Sequence, residues 1–595
     1  MTDFAAPIRR RLQNRAPPAD ADAGARRGEQ YERRLILVML AFVLFYCALG
    51  TRMGLMALST PEEPRIGASL AADAVRGTIT DREGRLMAAN LPAWSLYAHP
   101  RDVLDPEGTA DKLAAIFEDG DRDEMLALLT DDRRFVWIRR PVTPAEKSAV
   151  LDIGEPGLLF GSRDMRVYPA GRTAAHIVGS VNAGEEGVHF AEIRGAGGAE
   201  RYFDARLSDP GQAGEPLALS IDLTMQRVLG EVLEGERRRL GAIGAAGVLM
   251  RVETGEILAM VSLPDFDANS TKGLKRDKRG RSPRFNRAVQ GRYELGSVFK
   301  PLTAAMAIDR GKATPDTMLA TGDPIFFGRQ RVRDWHRMPD EMSVTDVIRR
   351  SSNVGTARLA LRVTTPVFKA YLERMGMFDP LPVELSEAAG TRPLLPPKWS
   401  ELSTMNIAFG HGIAVSPLHL AAAYATLANE GRRVVPSLRV GGQPDHPEFG
   451  EPIFDPRTAA QTLTMMRSVV TNGSGRRADV PGFEIAGKTG TADKPYENRP
   501  GYDHSRVIAT FASVFPVSDP EYVLLVSMDE PTDRSGAQPS RQASRTAAPS
   551  IAASVRRLAP LLGLRPRIEQ RGPDLAPGPS SGAPTVRAAL DGERG

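Results

Sequence analysis

One apolar segment near the N-terminus, Leu35–Leu58, constrains the topology of this chain more than any other feature. Its first part, Leu35–Gly50, carries no charged side chain, and Arg52 interrupts the remainder. A helix needs about 20 apolar residues to cross a bilayer core. The segment reaches that length only if it extends to Leu58 and Arg52 places its charge at the membrane interface. It therefore predicts a single transmembrane anchor over residues 35–58.

The charges before this segment predict its orientation. Residues 1–34 lack apolar periodicity and are rich in arginine, which predicts a disordered basic tail. Positive charge beside a span favours the cytoplasmic side, so the N-terminus is expected in the cytoplasm and the bulk of the chain outside. A cleaved signal peptide is the competing interpretation, but the apolar core starts late and no small-x-small cleavage motif follows it directly. The arginines of this flank are Arg9, Arg10, Arg11, Arg15, Arg26, Arg27, Arg33 and Arg34.

The length and the charge balance exclude several classes of protein. A chain of 595 residues is too long for one core, which indicates two or three domains. Its 77 basic and 73 acidic residues give a net charge of +4, so nucleic acid is not an expected partner. Cys47 is the single cysteine, and no disulfide can form within the chain. The sequence has no cluster of metal-ligating residues and no phosphate-binding glycine loop, so we expect neither a metal nor a cofactor.

Two globular modules follow the anchor. Residues 59–215 mix short strands, helices and turns, which indicates one non-catalytic α+β module. Residues 216–565 have predicted strands at both ends and helices between them, which predicts an antiparallel sheet with helices packed on both of its faces. Residues 566–595 are rich in Pro, Gly, Ser and Arg and are expected to be disordered. The fold class is therefore α+β.

A densely basic run, Lys272–Arg284, lies early in the second module. The simpler interpretation is a solvated loop. The other is a contact to an acidic partner or to lipid head groups.

The first chemical signal is Gly296-Ser297-Val298-Phe299-Lys300, at the start of a predicted helix. Positions three apart share a helix face, so the Ser297 hydroxyl and the Lys300 amine can meet. A serine hydroxyl becomes a good nucleophile when a nearby base takes its proton, and a lysine of lowered pKa can be that base. Ser297 and Lys300 are therefore the candidate nucleophile and base, although Ser-x-x-Lys alone is a weak motif.

Two further motifs strengthen this interpretation. Ser351-Ser352-Asn353 follows a predicted helix, and Lys488-Thr489-Gly490-Thr491 lies on a predicted strand. Each could be only a cap or a turn. In this order and at these spacings, however, the three motifs resemble the set found in penicillin-binding proteins and serine β-lactamases.

The resemblance implies a role for each residue of the set. Ser351 would relay a proton between Lys300 and the leaving amine, completing the catalytic group Ser297, Lys300 and Ser351. The backbone N–H groups of Ser297 and Thr491 would form an oxyanion hole. The expected substrate-binding residues are Asn353, which would also hold the Lys300 side chain; Lys488 and Thr489, which would bind the terminal carboxylate of a D-Ala-D-Ala peptide; and Gly490, which would let the substrate lie against the strand.

The resemblance extends beyond these motifs to class B penicillin-binding proteins. It implies that residues 59–215 are a pedestal of the dimerisation type and residues 216–565 a transpeptidase domain. It also implies an anchor in the inner membrane and a catalytic domain in the periplasm. Segments outside the three motifs carry it: Arg76–Gly84, Arg166–Pro169, Ser220–Asp222, Asn286–Ala288, Phe409–Gly412 and Ala428–Gly431.

The implied activity is a peptidoglycan D,D-transpeptidase that crosslinks stem peptides through a Ser297 acyl-enzyme and is a target of β-lactams. Ser351-Ser352-Asn353-Val354-Gly355 is similar to the division-specific subgroup, the penicillin-binding protein 3 type, which crosslinks the septum. That subgroup implies a polytopic septal glycosyltransferase and other division proteins as partners. Three alternatives stay open: an elongation-type class B transpeptidase, a hydrolase such as a D,D-carboxypeptidase or β-lactamase, and a non-catalytic scaffold or β-lactam sensor.

Overall fold

The computed structural model describes residues 37, 39–47, 49–51, 76–186, 191–212, 214–270 and 274–567. The predicted basic tail, part of the predicted anchor and nearly all of the predicted C-terminal tail lie outside these residues. The described residues between 37 and 51 are helical, and their large apolar side chains, such as Phe42 and Phe45, are exposed. Among the described residues, no helix has both the length and the apolar character needed to span a membrane.

The first module is built on one long strand, β2, which pairs antiparallel with β1, β3 and β4. A separate hairpin is formed by β5 and β6. The strands are β1 (Ile79–Thr80), β2 (Leu86–Ala98), β3 (Val136–Val142), β4 (Leu158–Val167), β5 (Ser180–Glu186) and β6 (Ala191–Gly197). The helices are α1 (Pro106–Ile116), α2 (Arg122–Leu129), α3 (Pro144–Leu151), α4 (Ala175–Val178), α5 (Gly198–Tyr202) and α6 (Asp204–Leu207), with a 3-10 turn at Pro100–Asp102.

A buried cluster of charged side chains joins distant segments of this module. Glu200 is fully buried and accepts hydrogen bonds from Arg76 Nε (2.6 Å) and Arg166 Nε (2.7 Å). Arg166 also donates to Asn90 Oδ1 at 2.9 Å. A charge removed from water must be paired, so these two distant arginines are fixed by one carboxylate. The segments Arg76–Gly84 and Arg166–Pro169, separate in sequence, therefore meet at Glu200.

The second module contains a five-stranded antiparallel sheet in the order β14-β15-β16-β8-β9. Two small two-stranded sheets, β10–β13 and β11–β12, are separate from it. β7 pairs parallel with β1 of the first module. The strands are β7 (Leu217–Ala218), β8 (Gly244–Arg251), β9 (Ile257–Leu263), β10 (Met318–Ala320), β11 (Ile325–Phe327), β12 (Gln330–Val332), β13 (Glu341–Ser343), β14 (Ala486–Pro495), β15 (Tyr502–Phe515) and β16 (Tyr522–Asp529).

Helices cover both faces of this sheet, as the sequence predicted. Successive strand side chains point to opposite faces. Leu249 and Leu524 belong to the buried hydrophobic cluster that includes side chains of α7 and α16. Val248 and Leu525 belong to the cluster that includes side chains of α8 and α14. The helices are α7 (Leu223–Arg239), α8 (Lys300–Asp309), α9 (Val344–Arg350), α10 (Asn353–Val363), α11 (Thr365–Arg374), α12 (Ser386–Ala389), α13 (Glu401–Ala408), α14 (Pro417–Ala428), α15 (Pro456–Asn472) and α16 (Ala547–Leu558), with 3-10 turns at Gly296–Phe299 and Arg476–Ala478.

The described part of the basic run, residues 274–284, finds its acidic partners within the chain. Arg279 pairs with Glu530 at 3.1 Å, and Arg281 pairs with Asp529 at 3.4 Å. Both carboxylates lie at the end of β16. The loop is therefore attached to the central sheet, and these two arginines are already occupied by the chain's own carboxylates.

Candidate active site

Ser297 lies in the 3-10 turn that leads into α8, beside the edge strand β14. A Cβ on Gly296 would lie 3.2 Å from the Thr491 carbonyl oxygen, and Gly296 has a φ of +63°. This left-handed backbone and close approach favour glycine. The buried Tyr424 hydroxyl donates to the Val298 carbonyl at 2.8 Å and so holds the other side of the turn. The backbone around Ser297 is thus fixed from two sides.

Ser351 ends α9 with a left-handed backbone, φ 68° and ψ 41°. A non-glycine residue adopts this conformation at an energetic cost, which occurs often at functional sites. The next residue, Ser352, begins α10: its hydroxyl accepts from Gly355 N at 3.0 Å and donates to Asp334 Oδ2 at 2.7 Å. Asp334 also accepts from Asn353 N. The loop that carries Asp334 therefore fixes the helix break at which Ser351 lies.

The two lysines of the predicted set meet at Ser351. Lys300 Nζ donates to the Ser351 carbonyl and to its hydroxyl, the latter at 3.2 Å. Lys488 Nζ donates to the same hydroxyl at 3.0 Å and to the Thr489 carbonyl at 3.1 Å. Both lysines are fully buried. Three residues far apart in sequence therefore share one hydroxyl oxygen.

Burial and mutual repulsion disfavour the charged form of these amines. Burial lowers the pKa of Lys300 well below its ordinary value, and the nearby Lys488 lowers it further, while Asp334 opposes the shift. Burial also lowers the pKa of Lys488, to about 7. Desolvation and a like charge act in the same direction on an ammonium group. Lys300 can therefore be neutral near neutral pH, which the role of a base requires.

The position of Lys488 differs from the expectation. Its side chain was expected to bind the terminal carboxylate of the substrate together with Thr489. Along β14, however, alternate side chains point to opposite sides. Thr489 and Thr491 line the cleft, whereas Lys488 points into the protein toward Ser351. Its charge can act on a substrate only from behind the strand.

Asn353 and Gly490 also make contacts other than those expected. Asn353 Nδ2 donates to the Arg333 carbonyl at 3.1 Å, so it holds the neighbouring loop and does not hold Lys300. A Cβ on Gly490 would lie 2.3 Å from the Leu295 carbonyl oxygen. The missing side chain lets β14 pack against the turn of Ser297, and room for a substrate along the strand stays a prediction.

A cleft of about 450 Å³ opens in front of these residues. Ser297, Ser351, Thr489 and Thr491 line it. Ser297 is half-buried, and its hydroxyl makes no hydrogen bond within the part of the chain that the structure describes. The hydroxyl of the candidate nucleophile is therefore available to a ligand that enters the cleft. The sequence did not single out the other lining residues, which come mostly from loops: Trp335, His336, Met338, Arg350, Ser474, Asp493, His504, Val507, Pro539, Arg541, Gln542, Ala543 and Ser544.

The two threonines of β14 are each fixed by a neighbour across the cleft floor. Thr489 Oγ1 and the Ser474 hydroxyl are 2.7 Å apart and hydrogen-bonded. Thr491 Oγ1 accepts from Ala543 N at 2.9 Å. Side chains held in this way are oriented before a ligand enters, which lowers the cost of binding.

Family models and known proteins match this chain over most of its length. A model of the penicillin-binding protein dimerisation domain matches residues 71–215, and a model of the penicillin-binding protein transpeptidase domain matches residues 245–553. The chain is 34% identical to the probable peptidoglycan D,D-transpeptidase FtsI of Caulobacter vibrioides, with 92% of this chain and 91% of that one covered. It is 30% identical to the peptidoglycan D,D-transpeptidase FtsI of Escherichia coli K12, with 77% and 79% covered.

Solved structures share the fold. Penicillin-binding protein 3 of Mycobacterium tuberculosis, in complex with aztreonam, superposes with a TM-score of 0.62 at 24% identity, covering 83% of this chain and 98% of that one. The central sheet and its two helical layers thus define a domain of the penicillin-binding type. The transpeptidase model spans more than half of the chain, and a dimerisation model precedes it. The chain belongs to the class B penicillin-binding proteins.

Proposed function

We propose that this protein is a serine-type peptidoglycan D,D-transpeptidase whose nucleophile is Ser297. The observation that carries the proposal is the grouping of Ser297, Lys300, Ser351 and Lys488 at one cleft, with Lys300 buried and its pKa lowered. A neutral Lys300 amine that bonds the Ser351 hydroxyl and lies three residues from Ser297 along the same turn can accept and return a proton in acyl transfer. The relatives named as D,D-transpeptidases support the same chemistry.

The first half of the reaction forms an ester on Ser297. Lys300 takes the hydroxyl proton, Ser297 Oγ attacks the carbonyl between two D-alanine residues, and the leaving amine receives a proton through Ser351. The backbone N–H groups of Ser297 and Thr491 stabilise the oxyanion. Gly296 packs against the Thr491 carbonyl, which brings these two backbone segments together. A β-lactam would react at the same serine.

Binding of the donor peptide is assigned to β14. Thr489 and Thr491 present hydroxyl groups to the cleft, where they can hydrogen-bond the terminal carboxylate of a D-Ala-D-Ala stem. Lys488, behind the strand, adds positive charge when it is protonated. Asn353 acts here through the loop of Arg333, whose carbonyl it holds.

We assign the reaction to the septum, by similarity to the relatives named FtsI. The predicted anchor over residues 35–58 would hold the chain in the inner membrane with its catalytic domain in the periplasm. The anchor and the pedestal would bind a polytopic septal glycosyltransferase and other division proteins. Depletion of the protein in its own cells tests the assignment: filaments support a role in division, whereas round cells would favour an elongation enzyme.

A label-and-release experiment tests the chemistry. Full-length protein in detergent is incubated with a fluorescent penicillin, and the lifetime of the adduct is followed after removal of free reagent. A covalent adduct that forms and is then hydrolysed only slowly supports the transpeptidase. Rapid turnover would favour a β-lactamase-like hydrolase instead. The D,D-carboxypeptidase alternative is tested with a donor peptide and no amine acceptor. Efficient hydrolysis of the terminal peptide bond, with release of D-alanine, would favour a D,D-carboxypeptidase.

A further inference from the structure

The cleft in front of Ser297 has an uneven distribution of charge. Arg350 and Arg541 line it and are exposed. Asp493 is the one acidic side chain among the described residues that line it. Two arginines suit the carboxylates of a peptide, but they repel a cation. Asp493 is therefore the place along this cleft where a positively charged group is best stabilised.

The fold directs Asp493 and His504 into this cleft. Asp493 follows Thr489 and Thr491 at alternate positions of β14, so its side chain lies on the same side of the strand. The pairing of β14 with β15 shifts here, because Asp493 lies opposite Val507 and Lys494 lies opposite Asp503. The residues between 503 and 507 have no partner on β14. Such a bulge re-aims side chains, and it places His504 at the cleft.

The two side chains form a pair. His504 Nδ1 donates to Asp493 Oδ2 at 2.5 Å. The Asp493 side chain is 17% exposed and the His504 side chain 77% exposed. In the described part of the chain, no other side chain forms an ion pair with Asp493.

The cationic side chains that neighbour Asp493 and His504 in sequence bind other carboxylates. Lys494 bonds Asp529 and Glu530 at 2.6 and 2.9 Å, and Arg506 bonds Glu530 at 2.7 Å. The carboxylate of Asp493 therefore stays available to a cation that enters the cleft.

We propose that Asp493, oriented by His504, binds the protonated amine of the acceptor stem peptide. This inference rests on the proposed transpeptidase function and adds a site for its second substrate. An acceptor stem carries a free amine that is cationic at neutral pH, whereas the donor presents a carboxylate. The two arginines thus suit the carboxylate of the donor and Asp493 suits the amine of the acceptor, and all three line the cleft that holds the Ser297 ester. Before it attacks the Ser297 ester, the bound ammonium releases one proton to water. As the amide forms and the ester bond breaks, a second proton passes through Ser351 and Lys300 to Ser297 Oγ.

The test measures how an acyl-enzyme partitions between acceptors. Full-length protein in detergent is acylated by a thioester donor ending in a D-alanine analogue, and mass spectrometry records the acyl-enzyme. Three nucleophiles compete for it: a stem peptide with a free side-chain amine, the same peptide with a hydroxyl in place of the amine, and water. Asp493→Asn is compared with Asp503→Asn, a matched carboxylate on β15 that bonds Ser505 and does not line the cleft.

We expect Asp493→Asn to reduce transfer to the amine, relative to hydrolysis, by about 10-fold, because the amide oxygen that remains can accept a hydrogen bond from the ammonium but carries no negative charge to pair with it. Transfer to the hydroxyl peptide, relative to hydrolysis, should not change, and Asp503→Asn should change neither ratio. Equal losses for both peptides, or no loss, would overturn the proposal. Should Asp493→Asn not fold, His504→Lys at an exposed position serves instead, since an added ammonium beside the carboxylate should impair amine transfer alone. A wild-type protein that forms no acyl-enzyme would contradict the transpeptidase function itself, and mass spectrometry reports that result separately.

Discussion

Lys300 and Lys488 reach the same oxygen atom, the hydroxyl of Ser351, at 3.2 and 3.0 Å from two different elements. Both ammonium groups are fully buried, so charging both at once is unfavourable. Two interacting amines titrate as a pair and not as independent groups. The hydroxyl between them can pass a proton from one amine to the other. We therefore expect the protonation state of the pair to control acylation.

Arginine substitutions should separate the two lysines. Lys300→Arg keeps a charge but cannot accept a proton, because arginine does not deprotonate in proteins. We expect its acylation rate to fall by about 10²- to 10⁴-fold, the range for loss of a general base. Lys488→Arg should retain more activity, since a cation remains behind β14. The second-order rate of labelling by a fluorescent penicillin measures both. Equal losses, or nearly normal acylation by Lys300→Arg, would contradict these roles.

The acid limb of the pH profile should respond to Lys488. Lys300 acts as a base only when neutral, so acylation should fall as the pH decreases and the pair takes up a proton. Lys488 lowers the pKa of Lys300, second to burial. In Lys488→Met this repulsion is absent, the pKa of Lys300 rises, and the acid limb should move to higher pH. Acylation rates measured across about four pH units around neutrality test the direction. A shift to lower pH would show that Lys488 does not act on Lys300 in this way.

Asp334 should have the opposite effect on the same profile. Its carboxylate raises the pKa of Lys300, against burial and Lys488. Asp334→Asn removes that charge and retains an acceptor for the Ser352 hydroxyl. We expect the acid limb to move to lower pH and the maximal rate to fall, because the break at Ser351 is less firmly held. Ser352→Ala is the control, since it loosens the break without removing a charge and should lower the rate without that shift.

The pedestal should depend on Glu200 for its stability. Removing one member of a buried charge cluster leaves the others unpaired, at a cost of about 3–5 kcal/mol. Glu200→Gln removes the anionic partner of Arg166 and leaves Arg76 only Asp204, whose side chain is 38% exposed, so it should destabilise the pedestal by roughly that amount. Glu83→Gln, whose side chain is 62% exposed, is the control and should change stability by less than about 0.5 kcal/mol. Hydrogen exchange of β1 and β4 reports the local loss, and equal exchange in both variants would contradict the role of Glu200.

The sequence predicted the sheet and its two helical layers, and it singled out four of the residues that line the cleft, Ser297, Ser351, Thr489 and Thr491. It could do so because strand alternation and the three motifs are local patterns, and the order of the motifs carries information about the fold. Only helices were predicted between the terminal strands of residues 216–565, but β10 to β13 interrupt them. These strands are only three residues long, too short to show a period of two.

Side-chain direction was the part that the sequence could not supply. Lys488 and Thr489 are neighbours in one motif, yet one is buried behind the strand and the other lines the cleft. Gly490 reflects contact with Leu295, a residue nearly two hundred positions earlier. Asp493 and His504 carry no motif: strand alternation places Asp493 in the cleft, and the bulge between β14 and β15 places His504 there. Each of these features depends on tertiary packing and not on local pattern.

The identity of the nucleophile is tested most directly by mapping the penicillin adduct. Full-length wild-type protein, Ser297→Ala and Ser351→Ala are incubated with a fluorescent penicillin, digested, and the labelled peptide is identified by mass spectrometry. The account predicts one adduct, on Ser297, that is absent from Ser297→Ala and forms more slowly on the same residue in Ser351→Ala. A covalent adduct in Ser297→Ala at the wild-type rate, or a wild-type adduct on Ser351, would contradict it.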